Sequence, residues 1–233
     1  MAIIKGGTSG ELADVGAVAS KPLHVTSKPT PYGVLGHYSI AVETGTIAAG
    51  AAANSQIFHA RWTDATRFAV IYEVQLLEFR DITTAFAAGV FRFSLEFVRA
   101  WTVDGSGGTA LTLSGDNNQL RTSMTASLFG AMRIATTAAL GAGTSTFDTQ
   151  SIGASFGTVG TTPTVGAMYI PSGSTGTGGQ GGQGVPLFGP DPGAGEHPVV
   201  LAANEGIAVR ATVPATGTWI AAVSMRWAEV TAY

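Results

Sequence analysis

The chain has no cysteine, so neither disulfides nor thiolate metal sites contribute to it. Lysine stops at Lys28, and every later basic residue other than histidine is arginine. Charged residues make up only 12% of the chain, about half of the usual ~25%. The net charge of −3 argues against electrostatic binding to nucleic acid. No apolar run reaches the ~18–20 residues that a membrane-spanning helix needs. The opening MAIIKGGTSGELADV has one lysine and no apolar core of a signal peptide. No membrane partner is therefore expected, and synthesis is expected in a cytoplasm.

Low charge does not mean disorder here, because 45% of the residues are hydrophobic. There are 32 glycines, and alanine and threonine are abundant. A surface of small, uncharged residues points to cover by self-association or by packing into an assembly. At 233 residues the chain suits one all-β domain with extensions, or two small ones, and a core of that size can be buried without staples.

The stretch from Thr66 to Trp101 organises the rest. Phe91, Phe93, Leu95 and Phe97 alternate with Arg92, Ser94, Glu96 and Val98. A period of two puts the first set on one sheet face. Upstream, Phe68, Val70, Tyr72, Val74 and Leu76 alternate with Ala69, Ile71, Glu73, Gln75 and Leu77. These two runs read as a central strand pair, joined by a connection from Asp81 to Gly89.

Met1 to Pro31 is rich in glycine and proline and holds Lys5, Lys21 and Lys28, all the lysines of the chain. It has too little apolar surface to fold alone. It reads as an extended arm that orders against a neighbouring subunit, with Leu23–Thr26 able to add as an edge strand, the alternative being a floppy terminus. Strand-like runs follow at His37–Val42 and Gln56–Trp62, separated by a loop over Thr46–Ser55. Asp104–Gly108 and Ser114–Asn118 read as turns around a short strand at Ala110–Leu113. Leu120–Phe129 is expected to hold one helical turn. Ala131–Leu140 and Thr144–Phe156 read as strands with few large side chains, placed at an edge or an interface. Ile170–Gly195 is Gly- and Ser-rich and reads as an exposed flexible loop. At the end, Gly206–Val213 and Trp219–Val230 are expected to pair as an antiparallel hairpin. On the second of these, Trp219, Ala221, Val223, Met225, Trp227 and Glu229 share a face. The expected fold is all-β, a β-sandwich or jelly roll with an extended N-terminal arm: residues 1–31 the arm, residues 32–233 the sandwich, with its Gly-rich loop at about 170–195.

Chemical motifs are scarce. Gly176–Gly181 matches GxGxxG in form, but its flanks lack the strand and helix that a dinucleotide site needs. No two of His24, His37, His59 and His197 have the close spacing of common zinc motifs. Glu73, Glu78 and Glu96 lie near Arg80, Arg92 and Arg99, which reads as cross-strand ion pairing and not as a glycosidase pair. Trp62, Trp101, Trp219 and Trp227 read as core or interface residues, with a sugar-stacking platform as the other option. No catalytic, cofactor-binding or metal-binding residue is assigned, and no enzyme activity or cofactor is expected.

Three segments resemble structural proteins of tailed bacteriophages: GHYSIAVETGTIAAGAAANSQIFHARWTDATRFAVI, GSGGTALTLSGDNNQLRTSM and HPVVLAANEGIAVRATVPATGTWIAAVSMRWAEVTAY. The opening GGTSGELADV followed by KPLHVT is similar to N-terminal segments of phage virion proteins that attach to a particle. The resemblance implies a non-enzymatic virion component made in the bacterial host cytoplasm. It implies a capsid decoration protein anchored by its arm, with the major capsid protein as first partner and tail proteins as second. A homo-oligomer is expected, a trimer being the form considered. A tail or fibre-associated protein and a carbohydrate-binding adhesin are the alternatives, and a polysaccharide-degrading enzyme is a more distant one.

Overall fold

The computed structural model describes residues 36–48, 53–113, 118–120, 124–162, 164–169, 184–189 and 197–233. The expected arm at 1–31 lies outside the described residues, as does most of the Gly-rich stretch expected at 170–195. Among the described residues there is no helix, and every strand pairing is antiparallel.

The two alternating runs at the centre form the long strands β4 (Phe68–Asp81) and β5 (Gly89–Val103). They are not sheet neighbours. β4 belongs to a sheet ordered β1-β12-β4-β10, where β1 is Gly36–Glu43, β12 Thr218–Val230 and β10 Val199–Leu201. The short strands β2 (Ile47–Ala48) and β9 (Val185–Phe188) join this sheet on β12 and β4. β5 belongs to a second sheet, ordered β6-β7-β3-β11-β5-β8. Its members are β6 (Thr109–Ala110), β7 (Phe129–Ile134), β3 (Ser55–Trp62), β11 (Glu205–Thr212) and β8 (Thr144–Val159).

The apolar faces of β4 and β5 meet across the sandwich instead of side by side. Phe79 lies 4.9 Å, ring centre to ring centre, from both Phe91 and Phe93. The final expected hairpin is corrected in the same way: β11 pairs with β3 and β5, while β12 pairs with β1 and β4. Period-two patterning defines a buried face but does not say whether that face meets a sheet neighbour or the opposite layer. The connection between β11 and β12 turns through two consecutive left-handed residues, Thr216 at φ 57° and Gly217 at φ 84°, and so carries the chain from one layer to the other.

Taken in chain order, β1, β4, β10 and β12 form the core of one sheet, and β3, β5, β8 and β11 that of the other. Successive members change layer except at β5 to β8, and the first lies beside the last. This is jelly-roll wiring. Between β5 and β8 an insertion carries β6 and β7 onto the edge of β3. The same insertion runs along the free edge of β1, where Ser39 N–H donates to Asn118 O at 3.0 Å and Leu120 N–H to His37 O at 3.0 Å. The helical turn expected in Leu120–Phe129 does not form among the described residues, because the local backbone bonds across to β1 and β12 instead. Two expected loops hold short strands. Ile47, in the Thr46–Ser55 run, is fully buried on β12, and Val185–Phe188 leaves the Gly-rich stretch to pair with β4. Both carry apolar side chains that complete the core, which composition at the scale of the whole segment conceals.

The core holds two aromatic clusters. Phe79 contacts Phe86, Phe91, Phe93, Tyr169 and Trp219. At the other end, Trp62 meets Phe129 edge-on at 5.1 Å, Phe129 meets Trp227 at 5.4 Å, and Tyr38 stacks on Trp227 at 5.4 Å. All four tryptophans are fully buried, which removes the sugar-stacking option. Replacing Phe79 with alanine is expected to lower unfolding free energy by about 3–5 kcal/mol in urea titration. A loss below about 1 kcal/mol would show that these rings do not act as one packed unit.

Candidate functional site

The outer face of the second sheet gathers most of the polar chemistry, and its geometry begins with a reversal in β5. Ala100 adopts φ 48°, and the β5–β8 register breaks between Arg99 and Val103. Trp101 thereby turns outward and packs with Val98, Ala208 and Phe147 in a small cluster of its own. It covers Gly206, where a Cβ would stand 2.7 Å from the indole. His59 meets Trp101 edge-on at 5.0 Å.

His59 is fully buried. Its Nδ1 lies 2.8 Å from Gln56 Oε1, which accepts the ring proton. Nε2 is then a bare acceptor without a partner. Burial, helped by the nearby positive charge of Arg133, pushes the imidazole down to about 4 despite the opposing Asp104 carboxylate. His59 is thus a neutral, enclosed ring, which suits packing and not proton transfer to a substrate. His37 stands beside Tyr72, and His197 bonds Pro198 O through Nδ1 and packs on Tyr233. His24 lies outside the described residues. Among the described residues no three His, Cys, Asp or Glu side chains converge as a metal cage.

Most carboxylates among the described residues are engaged. Arg61 pairs with Asp104 and also donates to Asn204 Oδ1 at 3.1 Å. Arg99 reaches Asp148 at 2.9 Å and Glu205 at 3.0 Å while lying over the Phe97 ring. Arg210 bonds Glu96 at 2.7 Å and lies over Phe147. On the other sheet, Arg226 binds Glu73 at 3.1 Å and Arg80 binds Glu78. The cross-strand ion pairs expected of Glu73 and Glu96 exist, with arginines of the last strands as partners, whereas Glu78 pairs with Arg80 within β4 itself. Arg92 donates to Ser151 instead. The exposed pairs, such as Arg99–Asp148 and Arg226–Glu73, contribute ~0–1 kcal/mol each; Arg210–Glu96, with its carboxylate largely buried, is not of that kind.

Two fully buried carboxylates act as latches. Glu229 accepts from Ser127 Oγ at 2.7 Å, Leu128 N–H at 3.0 Å and Trp227 Nε1 at 3.2 Å. Burial raises its affinity for a proton above the ordinary carboxylate range, while these donors pull the other way. Asp81 accepts from Gly166 N–H at 2.8 Å and Tyr169 Oη at 3.0 Å. Burial first, then Asp81, pushes the Tyr169 phenol up to about 12. Glu229 ties the β5–β8 insertion to β12, and Asp81 ties the 164–169 segment to the end of β4. Both were passed over in the sequence, although Glu229 shares its face with Trp219 to Trp227, a visible sign of a buried charge. A groove of about 500 Å³ opens between the 110–113 segment and β7, with Leu113, Phe129 and Met132 in its floor. Its two charged residues are already held, Asp104 by Arg61 and Arg133 by Gly107 O.

No family model, curated protein or solved structure matches this chain. The site must therefore be read from its own geometry.

Two outcomes follow from these buried groups. The unfolded chain binds a proton at His59 near the ordinary 6.5, the folded one only near 4, so stability from this residue falls as pH drops from about 6.5 to 4, by about 3 kcal/mol in all. A His59→Gln variant should have a flatter stability profile over that window in urea titrations at stepped pH; a slope equal to wild type would place His59 in contact with water. Glu229→Ala strands three donors and should cost about 2–4 kcal/mol, with Ser127 and Leu128 amides exchanging faster by hydrogen exchange.

Proposed function

We propose that this chain is a structural component of a tailed-bacteriophage virion, a capsid decoration protein anchored by the arm at residues 1–31. On this reading it is made in the bacterial host cytoplasm, binds the major capsid protein, and self-associates. It has no catalytic role in the particle. The observation that supports the reading is the jelly-roll wiring, closed by buried carboxylates, of a body in which most described charged groups are held by an opposite charge or by a neutral hydrogen-bond partner. Such a body offers shape and backbone to a neighbour and little reactive chemistry to a small molecule.

Jelly rolls serve viral capsids, lectins and cupins alike, so the wiring supports the reading by analogy of fold. The small-residue, low-charge composition and the resemblance of three segments to phage structural proteins add to it. A tail or fibre position fits the same observations with a different partner. The adhesin reading is weaker, since the four tryptophans that would have stacked on sugar are core residues.

Quantitative mass spectrometry of gradient-purified particles from a culture producing this chain is the deciding measurement. A high copy number per particle is expected for a repeating shell component. A handful would move the protein to the tail, and absence from particles would overturn the reading. A variant lacking Met1–Pro31 is expected to fold, by circular dichroism, and to be missing from particles. Incorporation at the wild-type level would remove the arm from the anchoring role.

A further inference from the structure

Sheet edges offer unpaired backbone, and natural proteins blunt them with short strands, charges, proline or cover. Three edges of this sandwich are blunted. β6 at one end of the second sheet is two residues long, β10 is three, and β1 has the 118–120 segment along it. The fourth edge differs. β8 is 16 residues long and pairs only with β5, and among the described residues no strand lies on its far side. It contains no proline and no lysine, and Asp148 is its one charge.

From Gly153 to Val159 the strand matches β5 residue for residue with no bulge. This half is GASFGTV, without any charge. Its outward side chains include Phe156, 59% exposed, opposite Arg92 on β5, and Val90 close by is 69% exposed. A large aromatic left out on an uncharged stretch that no strand pairs beyond, among the described residues, is the opposite of edge protection; the backbone of Leu187 approaches this stretch only at Gly153, on its inner side.

We propose that β8 pairs edge to edge with β8 of a second copy of this chain, about a two-fold axis through Phe156. The stretch is complementary to itself in that register. Phe156 faces its own copy on the outer surface, Val159 falls opposite Gly153, Thr158 opposite Ala154, and Gly157 opposite Ser155. Each larger side chain meets a small one, apart from the central aromatic pair, which favours contact. No like charges meet across the axis. An isologous contact of this kind closes at two subunits, so the unit is a dimer and not a trimer. The second sheets of the two copies become one continuous sheet with both outer faces on the same side.

The absence of cysteine makes a direct test possible. Directly opposed residues of an antiparallel pair have Cα atoms ~4.5–5.5 Å apart, within disulfide reach. Phe156→Cys in the full chain should therefore give a covalent dimer under mild oxidation. Val90→Cys is the more exposed position, but its copy would lie three strand spacings away, at least ~14 Å. It should cross-link far less. Phe156→Lys sets two ammonium groups face to face and should weaken dimerisation at least about tenfold in sedimentation equilibrium, with an unchanged melting temperature for the monomer. A wild-type chain that sediments as a monomer or trimer at micromolar concentration, or equal cross-linking of the two cysteine variants, would overturn the proposal.

Discussion

The structure depends on the meeting of two period-two faces across the sandwich. Phe79 projects from one sheet into Phe91 and Phe93 of the other, with Trp219 and Tyr169 closing the cluster. Each ring pair adds ~0.5–1.5 kcal/mol beyond the apolar area it removes from water. The wiring follows from this demand. A long strand with one strongly aromatic face must find an opposing layer, and the connections from β4 to β5 and from β11 to β12 deliver it by changing sheet. Hairpins at those points would have put the aromatic faces side by side and left the second layer without a floor.

Closing such a sandwich leaves loops at both ends, and buried carboxylates hold them. Asp81 and Glu229 each sit where an apolar residue would pack well, and each is tolerable only because two or three donors surround it. Their specificity is positional: a buried carboxylate accepts only a segment that brings its donors to the right place. Glu229 selects the turn at Ser127–Leu128, and Asp81 selects Gly166 and Tyr169. The two buried groups on the outer and inner faces also pull the pH dependence in opposite senses. Neutral His59 favours the folded chain at higher pH, whereas Glu229, whose proton is held more tightly than usual, favours it at lower pH.

How much of this was legible in the sequence differs by scale. The alternation in β5 and β12 marked the strands and their buried faces correctly, because that signal is local; in β4 it marked the strand but not its face, since register shifts at Tyr72 and Leu77 put Ala69, Ile71, Val74, Leu76 and Phe79 in the core and Phe68, Val70 and Tyr72 on the other side. The layer to which each strand belongs was not legible, since Val209 and Trp219 read the same whether their faces share a sheet or oppose one another. The outward turn of Trp101 was hidden for a different reason: it depends on one positive φ at Ala100, a residue type that carries no mark of it. At the candidate site, Glu73, Glu78 and Glu96 were recognisable as ion-pair members, but Arg210 and Arg226, the partners of Glu96 and Glu73, come from more than a hundred residues away. Asp81 gave no warning at all, because its donors lie in a Gly- and Thr-rich segment with no pattern. Glu229 did give one, as the single charge on the apolar face of β12.

The scarcity of charge acquires a physical sense when the edges are compared. Nearly every acid on the outer face of the second sheet is matched to an arginine, and those pairs cluster on β3, β11 and the Trp101 end of β5. The other half of β8 has none. Edges of free-standing sandwiches are usually defended by charge, and a chain that spends its few charges on pinning strands within the sheet leaves its longest edge undefended. The same reasoning ties the composition to the fold: small side chains let a neighbouring backbone approach, and the absence of lysine after residue 28 removes the flexible cations that would otherwise keep it away. On the proposed edge pairing, low charge bears on how a sheet meets its neighbour as well as on how it folds.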